Sequence, residues 1–322
     1  MHPTLIQLDG PAGVHTYGLF IALAFAAAFI YVYFRAIRIG LHPDRLLGAY
    51  ISAAVGGLVG ARVLYAIAVD FEATLANPLS LFSFAGFAVY GGVMGGAIGV
   101  VGFALATGIN TWKLADIAGP AVLLGMGIGR LGCLSAGCCH GAAAPIGTDP
   151  ISLLPEAFGG QIYLSGVAPF VTTQFDSAAG GVTRAALQDL PLYPTQMWAV
   201  LTLLPLAALL SWLWTKRRFD GQIIALTMMV EPVFRSLIES FRADHRGYAI
   251  ELSVSESLAS WLPGLTQAGS DAQQTMMGIT TSQFIGIIVM GTGLTIYILR
   301  RNAGLAAETP VDTSDTMLEG LD

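Results

Sequence analysis

Residues 127–141 read GIGRLGCLSAGCCHG, placing Arg130, His140 and the chain's three cysteines among five glycines. Three further arginines, Arg62, Arg235 and Arg242, lie within or at the edge of equally apolar stretches. Glu231, Arg235 and Glu239 follow at i, i+4 and i+8, which puts them on one face if the segment is helical. A guanidinium donates a planar fork of hydrogen bonds that matches a phosphodiester and never loses its charge. Two chemistries fit these arginines: an anion site, or internal pairing with the glutamates. Arg62 and Arg130 have no acidic residue nearby in their own stretches. Cys133, Cys138, Cys139 and His140 are thiolate and imidazole donors of the kind that hold zinc. Their crowding into eight residues, without the two separated pairs of a typical structural site, weighs against a metal. A disulfide or a small polar pocket lining are the other readings, and no metal or cofactor is expected.

The elements that must carry these residues follow from composition. The 322 residues are 54% hydrophobic and only 11% charged, with mean hydropathy +0.67; soluble domains carry about 25% charged residues. This is a membrane protein. A bilayer core about 30 Å thick takes around 20 apolar residues per helix, and seven runs qualify: 17–34, 46–69, 86–107, 114–131, 195–215, 222–241 and 283–299. The expectation is an all-α integral membrane protein, a single polytopic domain over 1–302, with outer segments 138–193 and 243–282 and a disordered acidic tail at 303–322. Nothing points to nucleic acid.

No Lys or Arg precedes the first run, while Arg35 and Arg38 follow it directly. That argues for an uncleaved first helix with its N-terminus outside and the C-terminus cytoplasmic. Arg35, Arg38, Arg45, Lys113, Lys216, Arg217, Arg218, Arg300 and Arg301 then fall at cytoplasmic ends, nine of the fifteen cations. Arg184 and Arg246 fall in outer loops. Arg62, Arg130, Arg235 and Arg242 come to the outer half of the second, fourth and sixth helices. Cations at that depth cost several kcal/mol and line cavities or meet partners, and an outer-leaflet phospholipid headgroup is the natural anion there. Gly95 and Gly99 read as close helix packing. For Gly91 and Gly92, beside Tyr90, and for Gly129, backbone approach to a ligand is an equal alternative. The stretch ELSVSESLASWLPGLTQ, residues 251–267, reads as an amphipathic helix at the membrane surface, and both outer segments as a lid or docking region.

GRLGCLSAGCCHG resembles the signature of bacterial prolipoprotein diacylglyceryl transferases, a Gly-Arg-hydrophobic-Gly core followed by a polar turn and a further glycine. HTYGLF at 15–20, GARVLY at 60–65, YGGVMGG at 90–96, YPTQMW at 193–198 and FRSLIESFR at 234–242 resemble further blocks of that family, in the same order and spacing. The resemblance implies transfer of the diacylglyceryl group of phosphatidylglycerol to the lipobox cysteine thiol of a preprolipoprotein, releasing glycerol phosphate, at the outer leaflet of the bacterial cytoplasmic (inner) membrane. The partners it implies are phosphatidylglycerol, other membrane lipids and the preprolipoprotein signal peptide. It casts Arg130 and Arg235 as holding the departing phosphate, and Arg62 as supporting the headgroup. Glu239 orients Arg235 or Arg242, or simply pairs with them. Tyr17, Gly91, Gly92, Cys133, Gly141, Gln196 and Arg242 complete the substrate-binding set.

The chain departs from the family where a base would sit. Tyr90 stands for the histidine before the Gly-Gly pair, Cys133 for an asparagine, and Tyr193 for the histidine of the Pro-Ser-Gln block. A phenol titrating near 10 is a poor base at neutral pH. His140 is the alternative base, against an ordinary loop histidine. The rival class is a non-catalytic relative that keeps the headgroup pocket, or a transporter of anionic solutes. A transporter would show an inverted repeat, and none is evident.

Overall fold

In the computed structural model, the described residues are 4–7, 13–68, 71–77, 81, 88–141, 151–152, 161–164, 171–174, 192–242, 248–254, 266–268 and 275–308. Side chains are described over most of these; that of Tyr90, Arg184, Arg246 and residues 309–322 lie outside the described set. A short hairpin, β1 (Thr4–Gln7) and β2 (Gly13–His15), leads into α1 (Thr16–Arg38), followed by α2 (Pro43–Ala68), α3 (Phe71–Ala76), α4 (Val89–Thr107) and α5 (Thr111–Ala136). After β3 (Ile151–Ser152), β4 (Gln161–Leu164) and β5 (Val171–Gln174) come α6 (Thr195–Trp214) and α7 (Gln222–Glu239). Next are β6 (Tyr248–Val254), β7 (Thr266–Ala268) and β8 (Thr275–Thr280), then α8 (Thr281–Glu308).

The seven long helices fall on the seven apolar runs. Five of them, α1, α2, α5, α6 and α8, are long and apolar enough to cross a bilayer. α4 is a shorter apolar helix over Gly91–Thr107, and α7 carries Glu231, Arg235 and Glu239. Burial is inverted relative to a soluble protein: Ile98 is 69% and Leu105 73% exposed, whereas Ala36, Ala104 and Ala225 are fully buried. Many large apolar side chains facing outward, alongside buried alanines, mark a surface made for lipid.

Three expectations are corrected. The chain is not all-α outside the long helices: β3-β4-β5 and β6-β8-β7 form two antiparallel three-stranded sheets. The surface helix is absent from the described part of 251–267, because Tyr248, Ile250, Leu252 and Val254 alternate with Ala249, Glu251 and Ser253, the period of a strand. The stretch instead pairs with β8 from Tyr248↔Thr280 to Val254↔Thr275. Finally, α8 runs to Glu308, six residues into the tail read as disordered, since RRNAGLAAE is rich in good helix formers.

The chain forms two compact units, 29–118 and the remainder. In the first, α2 and α4 meet along glycines: a Cβ on Gly95 would collide with Gly56 O, and one on Gly99 with Ser52 O. Gly91 joins this seam, since a Cβ there would collide with Gly60 O and approach Leu64 Cβ to 2.6 Å. Helix packing therefore accounts for Gly91 where backbone approach to a ligand was the alternative; at Gly92 an added Cβ would meet only ordinary contacts at 3.5 Å. At one end Ala49, Ala104 and Leu114 pack with Phe103 and Ile109. In the second unit, α5 packs Gly132 against Phe20 and Tyr17 of α1 and Gly127 against Leu204 of α6, and α8 packs Gly293 against Met228 of α7.

Gly95→Ala should destabilise the protein by roughly 1–3 kcal/mol, as overpacking does. Gly102→Ala, where an added Cβ meets nothing within 4 Å, should leave it unchanged. Thermal unfolding in detergent reads the contrast, and equal melting temperatures would contradict the packing described here.

Candidate functional site

The second unit gathers its polar groups at one end, where α5 and α7 finish and α6 and α8 begin. Five contacts draw these termini together. Gly141, just beyond α5, forms a bridge with Arg242, just beyond α7, and its N–H donates to Tyr193 O at 2.9 Å. At the start of α6, Thr195 Oγ1 donates to Cys139 O and Gln196 Nε2 to Cys138 O, both at 2.8 Å. At the start of α8, Ser282 Oγ accepts from Arg235 Nε at 3.1 Å. At the opposite end, Arg300 of α8 donates to Asp220 O between α6 and α7 at 3.0 Å, so the alternation of the helices is consistent.

A small, partly open cleft lies within this region. Its charged lining is Arg130 from α5, Glu231, Arg235 and Glu239 from α7, and Arg242, with Thr202 of α6 as a further polar group. Met126, Ala199, Leu203, Phe234 and Ile238 supply apolar wall. The i, i+4, i+8 spacing of the α7 charges does place all three on the cleft. Arg130 sits six residues before the end of α5, about 9 Å inside the helix at 1.5 Å per residue. Arg242 Nε lies 3.8 Å from Glu239 Oε2, both side chains almost fully buried. Glu231 interacts electrostatically with Arg235 first and Arg130 second. Among the described lining residues, three guanidinium groups face two carboxylates. Pairing, one of the two readings the sequence offered, is present between Arg242 and Glu239.

The signature turn closes this end. Gly137, at φ +70°, ends α5, and Cys139 adopts φ +59° although it has a side chain. That left-handed conformation is rare outside glycine, asparagine and aspartate. The Sγ atoms of Cys133, Cys138 and Cys139 lie within 4.8 Å of one another, all three as free thiols. Hydrogen bonding with the Cys133 and Cys138 thiols, aided by Arg242 and Arg130, holds the Cys139 thiol below the ordinary thiol range. Hydrogen bonding with Cys133 and Cys139, together with burial, pushes Cys138 above it. His140 is buried rather than an exposed loop residue, its Nδ1 3.0 Å from Gly141 O. A Cβ on Gly141 would lie 2.6 Å from Tyr193 O and 2.8 Å from Phe241 O, so only glycine fits there.

Of the residues singled out in the sequence, Arg130, Arg235, Glu239 and Arg242 share the cleft. Tyr17 packs on Gly132 within electrostatic range of the three cysteines and Arg130. Cys133, His140, Gly141 and Gln196 belong to the turn beside it. Arg62 belongs to the other unit, where its Nε donates to Leu81 O at 3.2 Å and its guanidinium lies 5.5 Å from the Tyr65 ring; Gly91 and Gly92 lie in that unit as well. Sequence reasoning missed Ser282 and Thr195, small hydroxyls at span starts whose partners are 47 and 56 residues away. It also missed the aromatic trio of Tyr193, Trp198 and Phe241, with ring centroids 5.3–5.8 Å apart.

An apolar multi-helix body with a cation-rich cleft at one end of its helices defines a multi-pass membrane protein built around a polar site. The family described as prolipoprotein diacylglyceryl transferase matches residues 3–299, and the chain belongs to that family. Phosphatidylglycerol–prolipoprotein diacylglyceryl transferase 2 of Clostridium perfringens (strain 13 / Type A) is 28% identical over 293 residues, 90% of this chain and 93% of the relative. The phosphatidylglycerol–prolipoprotein diacylglyceryl transferase of Clostridium tetani (strain Massachusetts / E88) is 30% identical over 260 residues, 80% of this chain and 92% of the relative. The protein of that name from Rhodopirellula baltica is 36% identical over 150 residues, 44% of this chain and 30% of the relative.

Gln196→Leu removes the buried donor to Cys138 O and should cost about 1–3 kcal/mol, the penalty for leaving a buried carbonyl unsatisfied. A melting temperature equal to that of the unaltered protein would show that Gln196 does not anchor the turn.

Proposed function

We propose that this chain transfers the diacylglyceryl group of phosphatidylglycerol to the lipobox cysteine thiol of preprolipoproteins. The sulfur attacks the glycerol carbon that bears the phosphate, an S–C bond forms, the C–O bond breaks, and glycerol phosphate departs. The observation that carries this reading is the cleft in which Arg130, Arg235 and Arg242 outnumber Glu231 and Glu239. The phosphodiester enters with one negative charge and leaves as a monoester with nearly two. Groups fixed in advance around the place where charge develops stabilise the transition state more than the ground state.

Arg130 and Arg235 hold the departing phosphate in this reading. Glu239 orients Arg242, supported by their 3.8 Å approach, and Ser282 fixes Arg235. Gly141, Gln196, Cys133 and Tyr17 shape the surroundings. The seven long helices all span the bilayer, N-terminus outside and C-terminus cytoplasmic, in the bacterial inner membrane, and the cleft opens toward the outer leaflet. The nucleophile is the thiolate, so a proton must leave the acceptor cysteine. His140 takes it in preference to Tyr90, supported by its burial in the turn beside the cleft.

In a strain depleted of its own transferase, the gene should restore growth and lipoprotein modification. Arg130→Ala and Arg235→Ala should each lower transfer by about 100-fold or more, as losing one such donor does elsewhere. Absence of rescue despite good expression and membrane insertion would instead identify a headgroup-binding relative without activity. His140→Gln should slow transfer, and full activity in that variant would eliminate His140 as the base.

A further inference from the structure

The three cysteines are close in sequence, yet chain proximity alone does not bring three thiols to one point. Cys133 lies in the last turn of α5, and Cys138 and Cys139 follow beyond Gly137. Adjacent residues normally send their side chains apart. Here the left-handed backbone of Cys139, at φ +59°, accompanies all three Sγ atoms lying within 4.8 Å of one another. Backbone held in so sparsely populated a region costs on the order of 1 kcal/mol and persists only when its surroundings enforce it. They do enforce it: Gln196 and Thr195 grip the Cys138 and Cys139 carbonyls, and Gly141 N is bound to Tyr193 O. The turn is therefore a rigid frame that presents its thiols together.

We propose that Cys133, Cys138 and Cys139 form a three-thiolate site for a thiophilic d10 cation, with Zn2+ as its reference ion. Zinc–thiolate bonds of about 2.3 Å put sulfurs in a tetrahedral shell about 3.8 Å apart, so the three atoms need to close by no more than about 1 Å. The spacing argument against a metal applies to four-donor sites made of two separated pairs; a three-donor site needs only the convergence seen here. Binding forms three Zn–S bonds and releases to solvent the S–H protons that the thiols still carry. Three thiolates around Zn2+ leave one negative charge, and Arg130 and Arg242 are both within electrostatic range of Cys139. The bound ion ties the end of the helix that carries Arg130 to the turn that meets α6 and Arg242. Metal binding itself needs no lipid or lipoprotein substrate.

The test uses the full chain, tag removed, purified in detergent from zinc-supplemented cells, with its thiols alkylated under denaturing conditions at harvest to record their native state. Elemental analysis of unalkylated protein should find one zinc per chain, and Cd2+ titration of chelator-stripped protein should produce a thiolate-to-cadmium charge-transfer band saturating at one equivalent. Added Zn2+ should raise the melting temperature of the stripped protein. Cys133→Ser, Cys138→Ser and Cys139→Ser should each weaken binding beyond the roughly 10–100-fold typical of losing an outer partner, while circular dichroism and elution volume stay unchanged. A lack of both zinc and the cadmium band would overturn the proposal. So would metal content unaffected by the serine variants, or a disulfide between any two of these cysteines in the harvested protein.

Discussion

Charge inside a low-dielectric helical body must be compensated, and that requirement organises this protein. An isolated guanidinium at membrane depth costs several kcal/mol, so the arginines of α5 and α7 cannot be scattered among lipid-facing positions. They share a cleft with Glu231 and Glu239, close to helix ends where the chain supplies hydroxyls and backbone groups. Arg235 meets Ser282 and Arg242 meets Glu239. Among the described lining residues the guanidinium groups outnumber the carboxylates three to two, an arrangement suited to a phosphate.

The rest of the fold serves that arrangement by letting backbones come close. Large apolar residues face outward, so helix association cannot draw on burying them and depends on tight contact of small residues. Gly132 permits α1 to lie against the helix that carries Arg130, and Gly127 does the same for α6. The Pro232 ring packs at Gly286 of α8, next in sequence to Glu231. Packing of small residues and placement of charge are therefore two aspects of one design. Helices held at glycine distance keep the guanidinium groups within reach of one another.

Much of this was legible in the sequence because membrane helices are written in long apolar runs and charges within them are conspicuous. The seven runs became seven helices, and the Glu231, Arg235, Glu239 spacing placed one face on the cleft. The strand at Tyr248–Val254 was missed although its alternation is plain, because an amphipathic reading of the following residues was extended over it. Ser282 and Thr195 were invisible for a different reason: each acts on a partner some fifty residues away, and no local pattern reports such a pairing. The convergence of the thiols accompanies a left-handed backbone at Cys139, which spacing alone does not reveal. Arg62 shows the same limit from the other side. Its depth follows from the run it occupies, while Leu81 O and the Tyr65 ring, which it meets, lie within its own unit.

The central claim is that the surplus positive charge of the cleft recognises the phosphate of an anionic lipid. The most direct measurement is competitive lipid binding to the purified chain in nanodiscs containing phosphatidylglycerol and phosphatidylcholine, read by mass spectrometry of retained lipid. The account predicts selective retention of phosphatidylglycerol by the unaltered protein and at least about tenfold loss of that selectivity, 1.4 kcal/mol, in Arg130→Gln and Arg235→Gln variants that remain folded. Equal retention of both lipids, or selectivity untouched by either substitution, would contradict it.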